Sequence, residues 1–105
     1  CNAMSLTKQF LKSKPVCKVT FTVPAEAANG ADSVAVVGEF NGWDAAAAPL
    51  KKGKDGVFKT TVELEAGKED QFRYLLDGTR WENDWAADKY VPSAVSLEEN
   101  SVVAL

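Results

Sequence analysis

From residue 17 to residue 23 the chain alternates without a miss. Cys17, Val19, Phe21 and Val23 are apolar, and Lys18, Thr20 and Thr22 stand between them. A period of two buries one face of a strand; it cannot build a helix, whose apolar stripe recurs every three or four residues. The rhythm returns at Val57–Leu64, where Phe58, Thr60, Val62 and Leu64 share a face, and at Gln71–Leu76, where Phe72, Tyr74 and Leu76 do. Ser33–Gly38 is almost wholly apolar, as expected of a strand covered on both faces. A shorter strand is predicted around Arg80–Asn83 and a last one over Ser101–Leu105. Turn chemistry separates them: Asn29-Gly30 in a loop over Ala25–Asp32, then Asn41-Gly42, Asp55-Gly56 and Asp77-Gly78.

One segment reads differently. Leu6, Phe10 and Leu11 fall at i, i+4 and i+5, Ser5 or Thr7 offers a cap, and Pro15 a stop, which predicts a short N-terminal helix over residues 4–15 packed on the core. Short strands, closely spaced turns and one small helix predict an all-β, immunoglobulin-like sandwich over residues 16–105. Cys1-Asn2-Ala3 ahead of Met4 reads as residues left by expression and is set aside.

With 105 residues, one domain is expected. The net charge of −3 argues against nucleic acid and against an anionic membrane, because both demand a basic surface. Any polymer partner is therefore expected to be neutral. The chain has no histidine, which removes the commonest general base and a frequent metal ligand. No cofactor, metal site or catalytic group is expected. Cys17 falls on the inward face of its strand and reads as a buried structural thiol. No signal peptide or long apolar run is visible, which points to the cytoplasm.

Trp43 closes Gly38-Glu39-Phe40-Asn41-Gly42-Trp43, and Trp81 follows Asp77-Gly78. Each sits where a strand runs out into a loop. A flat ring placed there is suited to stacking on the apolar face of a sugar.

Taken in order, several pieces of the chain resemble one family: Val37-Gly38-Glu39-Phe40-Asn41-Gly42-Trp43, Gly56-Val57-Phe58, Leu64-Glu65-Ala66-Gly67, Gln71-Phe72-Arg73-Tyr74-Leu75-Leu76-Asp77-Gly78 and Trp81. They are similar to family-48 carbohydrate-binding modules. These include the early-set domain ahead of the catalytic barrel in isoamylases and branching enzymes, and the glycogen-binding domain of the AMP-activated kinase beta subunit. The likeness covers about residues 16–105. It implies an early-set sandwich that binds α-1,4-linked glucan such as glycogen or starch. Trp43 and Trp81 match the stacking tryptophans, Arg73 the basic residue that bonds sugar hydroxyls, and Asn100 an asparagine just before the last strand that completes the site. Two features depart from the kinase-type pattern. Thr79 and Arg80 put two residues, not one, between Asp-Gly and tryptophan, and Ser93–Glu99 holds no match for the loop residue that passes through the sugar helix.

Strand parity sharpens the expectation. A two-residue turn at Asp77-Gly78 pairs Tyr74 with Trp81 and turns Trp81 away from Arg73. A three-residue loop pairs Leu75 with Trp81 and sets Trp81 beside Arg73. The three-residue loop is predicted. Plainer roles stand beside these: Trp43 and Trp81 as packing residues, Arg73 paired with Glu82 or Glu63, Asn100 as a turn residue, Asn41-Gly42 as a turn with no other role. Trp85 is expected in the core, Glu82, Asp84 and Asp88 as solvated surface and not an acid/base pair, and Lys51-Lys52-Gly53-Lys54 as a solvated loop.

The leading function is a non-catalytic module for α-glucan, with a glycogen-metabolising enzyme as a possible further partner. The alternatives are a protein-interaction sandwich that docks on a glucan-metabolising enzyme or kinase, and a detached accessory of a glucan-cleaving enzyme.

Overall fold

The computed structural model describes residues 5–44, 46–93 and 99–105. The chain forms two antiparallel sheets packed face to face. One holds β1 (Ser5–Phe10), β2 (Val16–Val23), β4 (Lys51–Lys52) and β5 (Phe58–Glu65) in the order β1-β2-β5-β4. The other holds β3 (Val34–Gly38), β6 (Glu69–Leu76), β8 (Lys89–Pro92) and β9 (Glu99–Ala104) in the order β3-β6-β9-β8. The short strand β7 (Arg80–Glu82) also pairs with β6. An all-β sandwich is what the alternating runs require, since each run has one apolar face to bury.

The core lies between the sheets. Cys17, Val19, Phe21 and Val23 of β2 meet Val36 of β3 and Phe72, Tyr74 and Leu76 of β6, all of them buried. Phe21 stands at its centre, with ring centroids 5.2 Å from Phe72, 6.4 Å from Tyr74 and 5.7 Å from Phe40. The Phe72 and Tyr74 contacts are edge-to-face and the Phe40 contact is stacked; aromatic pairs add about 0.5–1.5 kcal/mol each beyond the area they bury. Cys17 is buried and free, as its parity required.

The N-terminal segment corrects the sequence reading. Residues 5–10 are not helical; they form β1, which pairs residue for residue with β2 from Ser5↔Thr22 to Phe10↔Cys17. A helix this short gains little on its own. Without β1, moreover, the outer edge of β2 would leave its backbone groups unpaired. Leu6 packs on the core, while Phe10, on the same face, stays 55% exposed. Lys8 lies between them on that face and reaches across the open side of the sandwich to Asp88 at 2.7 Å. An inward-pointing charge on an edge strand discourages pairing with other chains.

Two smaller corrections concern connections. The loop expected over Ala25–Asp32 begins with a short helix, α1 (Ala25–Ala28), which buries Ala27 and Ala28 before Asn29 turns left-handed at φ 49°. Lys51 and Lys52, expected in a solvated loop, form the edge strand β4, although both stay exposed. Just before β4 the chain bonds to β3 of the other sheet, Val36 N–H to Ala48 O at 3.0 Å and Leu50 N–H to Val34 O at 2.8 Å. That crossing joins the two sheets on the side away from β1.

Asp70 of β6 is only 1% exposed, and neither carboxylate oxygen has a hydrogen-bond partner among the described residues. Lys68 lies 3.7 Å away. Burial raises the Asp70 pKa above the ordinary carboxylate value, with Lys68 pulling the other way. A group raised in the fold costs stability while ionised, and that cost fades as pH falls through the folded value. Asp70→Val is therefore expected to stabilise the protein at neutral pH by about 1–3 kcal/mol, the cost of an unsatisfied buried group. The gain should shrink as pH drops into the carboxylate range. Urea unfolding at several pH values checks both; a variant less stable than the parent at neutral pH contradicts the assignment.

Candidate functional site

Strand β6 carries the site because its two faces serve different ends. Phe72, Tyr74 and Leu76 point inward to the core. Gln71, Arg73 and Leu75 alternate with them and point outward. On one side β6 pairs with β3, placing Val37 opposite Arg73 and Ala35 opposite Leu75. On the other side it pairs with β9 through Glu69–Phe72 and with β7 through Tyr74–Leu76, so Arg73 sits at the junction of the two.

The register answers the parity question. Leu75 pairs with Trp81, and Leu76 with Arg80. Residues 77–79 form the three-residue loop, and Trp81 shares the outer face with Arg73 as expected. The loop is held from several sides. Asp77 and Gly78 adopt positive φ of 53° and 72°, and Thr79 N–H bonds Leu76 O at 3.1 Å. The Asp77 carboxylate accepts the Asp32 and Ser33 amides at 2.8 and 3.0 Å. Those two backbone bonds, that of Ser33 first, hold the Asp77 pKa below the ordinary carboxylate value. The turn that aims Trp81 is thus tied to the loop ahead of β3.

Arg73 and Asn100 meet. Arg73 Nε donates to Asn100 Oδ1 at 2.6 Å, and Asn100 Nδ2 donates to Gln71 Oε1 at 3.0 Å. Asn100 lies inside β9 and not ahead of the last strand, because that strand starts at Glu99. Its amide is oriented by Arg73 on one side and Gln71 on the other. Arg73 and Asn100 are 8% and 5% exposed, so they form a nearly buried polar row on the outer face. Gln71 was not singled out from the sequence. The signal was its parity with Arg73, two residues along the same strand.

Trp43 and Trp81 are 41% and 48% exposed. Trp43 follows a 3-10 turn over Glu39–Asn41, has φ 61°, and bonds its amide to Gly38 O at 2.9 Å. Asn41 is more than a turn residue here. Its Oδ1 accepts Gly38 N–H and its Nδ2 donates to Val36 O, both at 3.0 Å. Glu39 Oε1 accepts the Gln71 amide at 2.7 Å, which ties the same turn to β6. Gly38 pairs with Phe72 and Trp81 with Leu75. Trp43 thus follows the end of β3 on one side of β6, and Trp81 lies in β7 on the other. Residues 94–98, most of the Ser93–Glu99 loop, lie outside the described residues.

Two expectations fail. Trp85 is 58% exposed and not in the core. Asp84 is fully buried and not solvated surface. The exchange has one cause. Asp84 turns inward, its carboxylate accepts the Tyr74 hydroxyl at 2.7 Å and the Ala86 amide at 2.8 Å, and its own N–H donates to Ser101 Oγ at 2.9 Å. With the chain folded inward at Asp84, its neighbour is turned out. Burial raises the Asp84 pKa, against the Tyr74 bond, and the Tyr74 hydroxyl is pushed well above its ordinary value by burial and by Asp84. Asp88 holds Lys8 and the Ala104 amide. Asp84 and Asp88 thus tie separate parts of the fold together.

The family model for carbohydrate-binding module 48, the isoamylase N-terminal domain, matches residues 12–91. The chain belongs to this family. As a family-48 module it is a carbohydrate-binding module, with a glycan as its class of partner. Trp43, Arg73 and Trp81 fall inside the matched segment; Asn100 and β1 lie outside it. No curated protein matches the chain. Among the described residues no helix is long and apolar enough to cross a membrane.

Gly38 has no room for a side chain. A Cβ there would lie 2.5 Å from Gln71 O and 2.8 Å from Phe72 Cβ, both on β6. Gly38→Ala should force β3 away from β6 beneath the Trp43 anchor and cost about 1–3 kcal/mol, the usual range for overpacking. Chemical denaturation measures it, and an unchanged midpoint contradicts the close approach.

Proposed function

We propose that this module binds α-1,4-linked glucan, of the glycogen or starch type, by stacking sugar rings on Trp43 and Trp81, and that it does so without catalysis. The observation that carries the reading is that Trp81 shares one sheet face with the Arg73–Asn100 pair while both indoles remain open to solvent. A glucan is neutral, and its rings present C–H faces to an indole and hydroxyls to polar groups. Two exposed aromatic platforms, one following β3 and one in β7 on either side of β6, suit an oligosaccharide that touches both.

The polar row contributes direction. Arg73 and Asn100 engage hydroxyls where the outer face opens, and Gln71 keeps the Asn100 amide in one orientation. Each net hydrogen bond adds about 0.5–1.5 kcal/mol, since water competes for the same groups. Affinity is then expected between micromolar and millimolar, roughly −4 to −8 kcal/mol. A cytoplasmic setting beside a glycogen-metabolising enzyme is consistent with this reading.

A second reading has its own support. Phe10, Trp85 and Tyr90 are exposed aromatics outside the proposed sugar face, at 55%, 58% and 41%. They favour contact with another protein, such as a glucan-metabolising enzyme or kinase.

Electrophoresis in native gels containing glycogen or amylopectin separates the two. The parent should be retarded, and Trp43→Ala and Trp81→Ala should each recover most of the free mobility, while Trp85→Ala remains retarded. Equal mobility with and without polymer removes the sugar reading and favours the docking one.

A further inference from the structure

The outer face of the other sheet carries a feature that sugar binding does not use. An open groove of about 630 Å³ runs beside β4 and β5, lined by Lys51, Lys52, Lys54, Lys59, Thr20 and Thr61. Lys51 pairs directly with Lys59 in the β4–β5 ladder. Like charges directly opposite each other destabilise a sheet, so this pair costs the fold something. Thr20 and Thr61 lie on the same outer face and share a hydrogen bond at 2.9 Å. Lys52, on the inner side of β4, sits 5.8 Å from the Phe58 ring centroid.

Among the described residues nothing neutralises the group. Among the described residues, no carboxylate comes within ion-pair distance of Lys51, Lys52, Lys54 or Lys59. Asp55, the acid in the groove lining, uses Oδ1 to accept the Val57 amide at 3.1 Å. Residues 51–59 hold four lysines and one aspartate, a charge of +3; the chain totals −3, so the rest carries −6. The basic surface is therefore local, on an otherwise acidic molecule.

We propose that this groove docks an extended acidic segment of a protein partner. The lysines supply the complementary charge, and Lys51 and Lys59 together bracket a carboxylate and relieve their mutual repulsion. The strand β4 is the outer strand of its sheet, which suits an extended chain laid alongside it. A sugar polymer is disfavoured because no aromatic side chain lines the groove. Docking here leaves the tryptophan face free, since the two surfaces lie on opposite sides of the core. The inference stands whether or not the sugar reading holds.

Fluorescence anisotropy with a labelled oligoglutamate peptide tests it on the full chain. The peptide should bind at low ionic strength and weaken steeply as salt rises. Lys51→Glu with Lys59→Glu should weaken it about tenfold or more. Lys12→Glu with Lys14→Glu makes the same change in net charge on exposed residues elsewhere and should leave most of the affinity. Both pairs sit on the surface, and unchanged melting curves would show that the fold is kept. Added glycogen should not displace the peptide. No binding at low salt, or equal loss in both double variants, overturns the proposal. So does a phosphorylated glucan that competes for the groove and needs Lys51 and Lys59, since it would assign the site to phosphate esters on a sugar.

Discussion

The pleat of β6 is the constraint from which the rest follows. Successive side chains on a strand must point to opposite faces, so core and site are built from the same eight residues without competing. Phe72 and Tyr74 lock the inner face against Phe21. That lock fixes where Gln71 and Arg73 emerge on the other side. A slip of one residue would exchange the two sets, placing a guanidinium in the core and aromatic rings in water. The register is therefore held by the whole hydrophobic interior, and the site inherits that rigidity.

The turns pass the constraint outward. Asp77 fixes the loop that turns Trp81 to the outer face, and Asn41 and Glu39 fix the one that carries Trp43. In both places a carboxylate accepts backbone amides of a neighbouring segment, and Asn41 adds bonds to Gly38 and Val36 within its own turn. Loops held in this way present side chains with little entropic loss on binding.

How much of this was legible in the sequence depended on whether a local rule met a tertiary one. The alternation in β2, β5 and β6 gave strands, faces and the buried Cys17 directly, because burial was the only force in play. The Trp81 side followed from counting residues across Asp77-Gly78-Thr79. The N-terminal segment went wrong because Leu6 and Phe10, four apart, fit a helix face and a strand face alike; only the unpaired edge of β2 decides between them. Trp85 and Asp84 were exchanged because hydrophobicity favours tryptophan inside and aspartate outside. The Tyr74 hydroxyl, buried and in need of a partner, reversed that order. No spacing rule joins residues 74, 84 and 101. Asn100 was placed beside Arg73 by resemblance alone, since the contact spans 27 positions in the chain.

The central claim is that Trp43 and Trp81 hold one glucan chain between them, while Trp85, though the most exposed of the three, does not. Indole N–H signals in a proton–nitrogen correlation spectrum report each ring separately, and Trp→Phe variants assign them. On titration with maltoheptaose, the Trp43 and Trp81 signals should move together along one saturation curve, with Trp85 still. Movement of Trp85 alone, or separate curves for Trp43 and Trp81, would contradict the account.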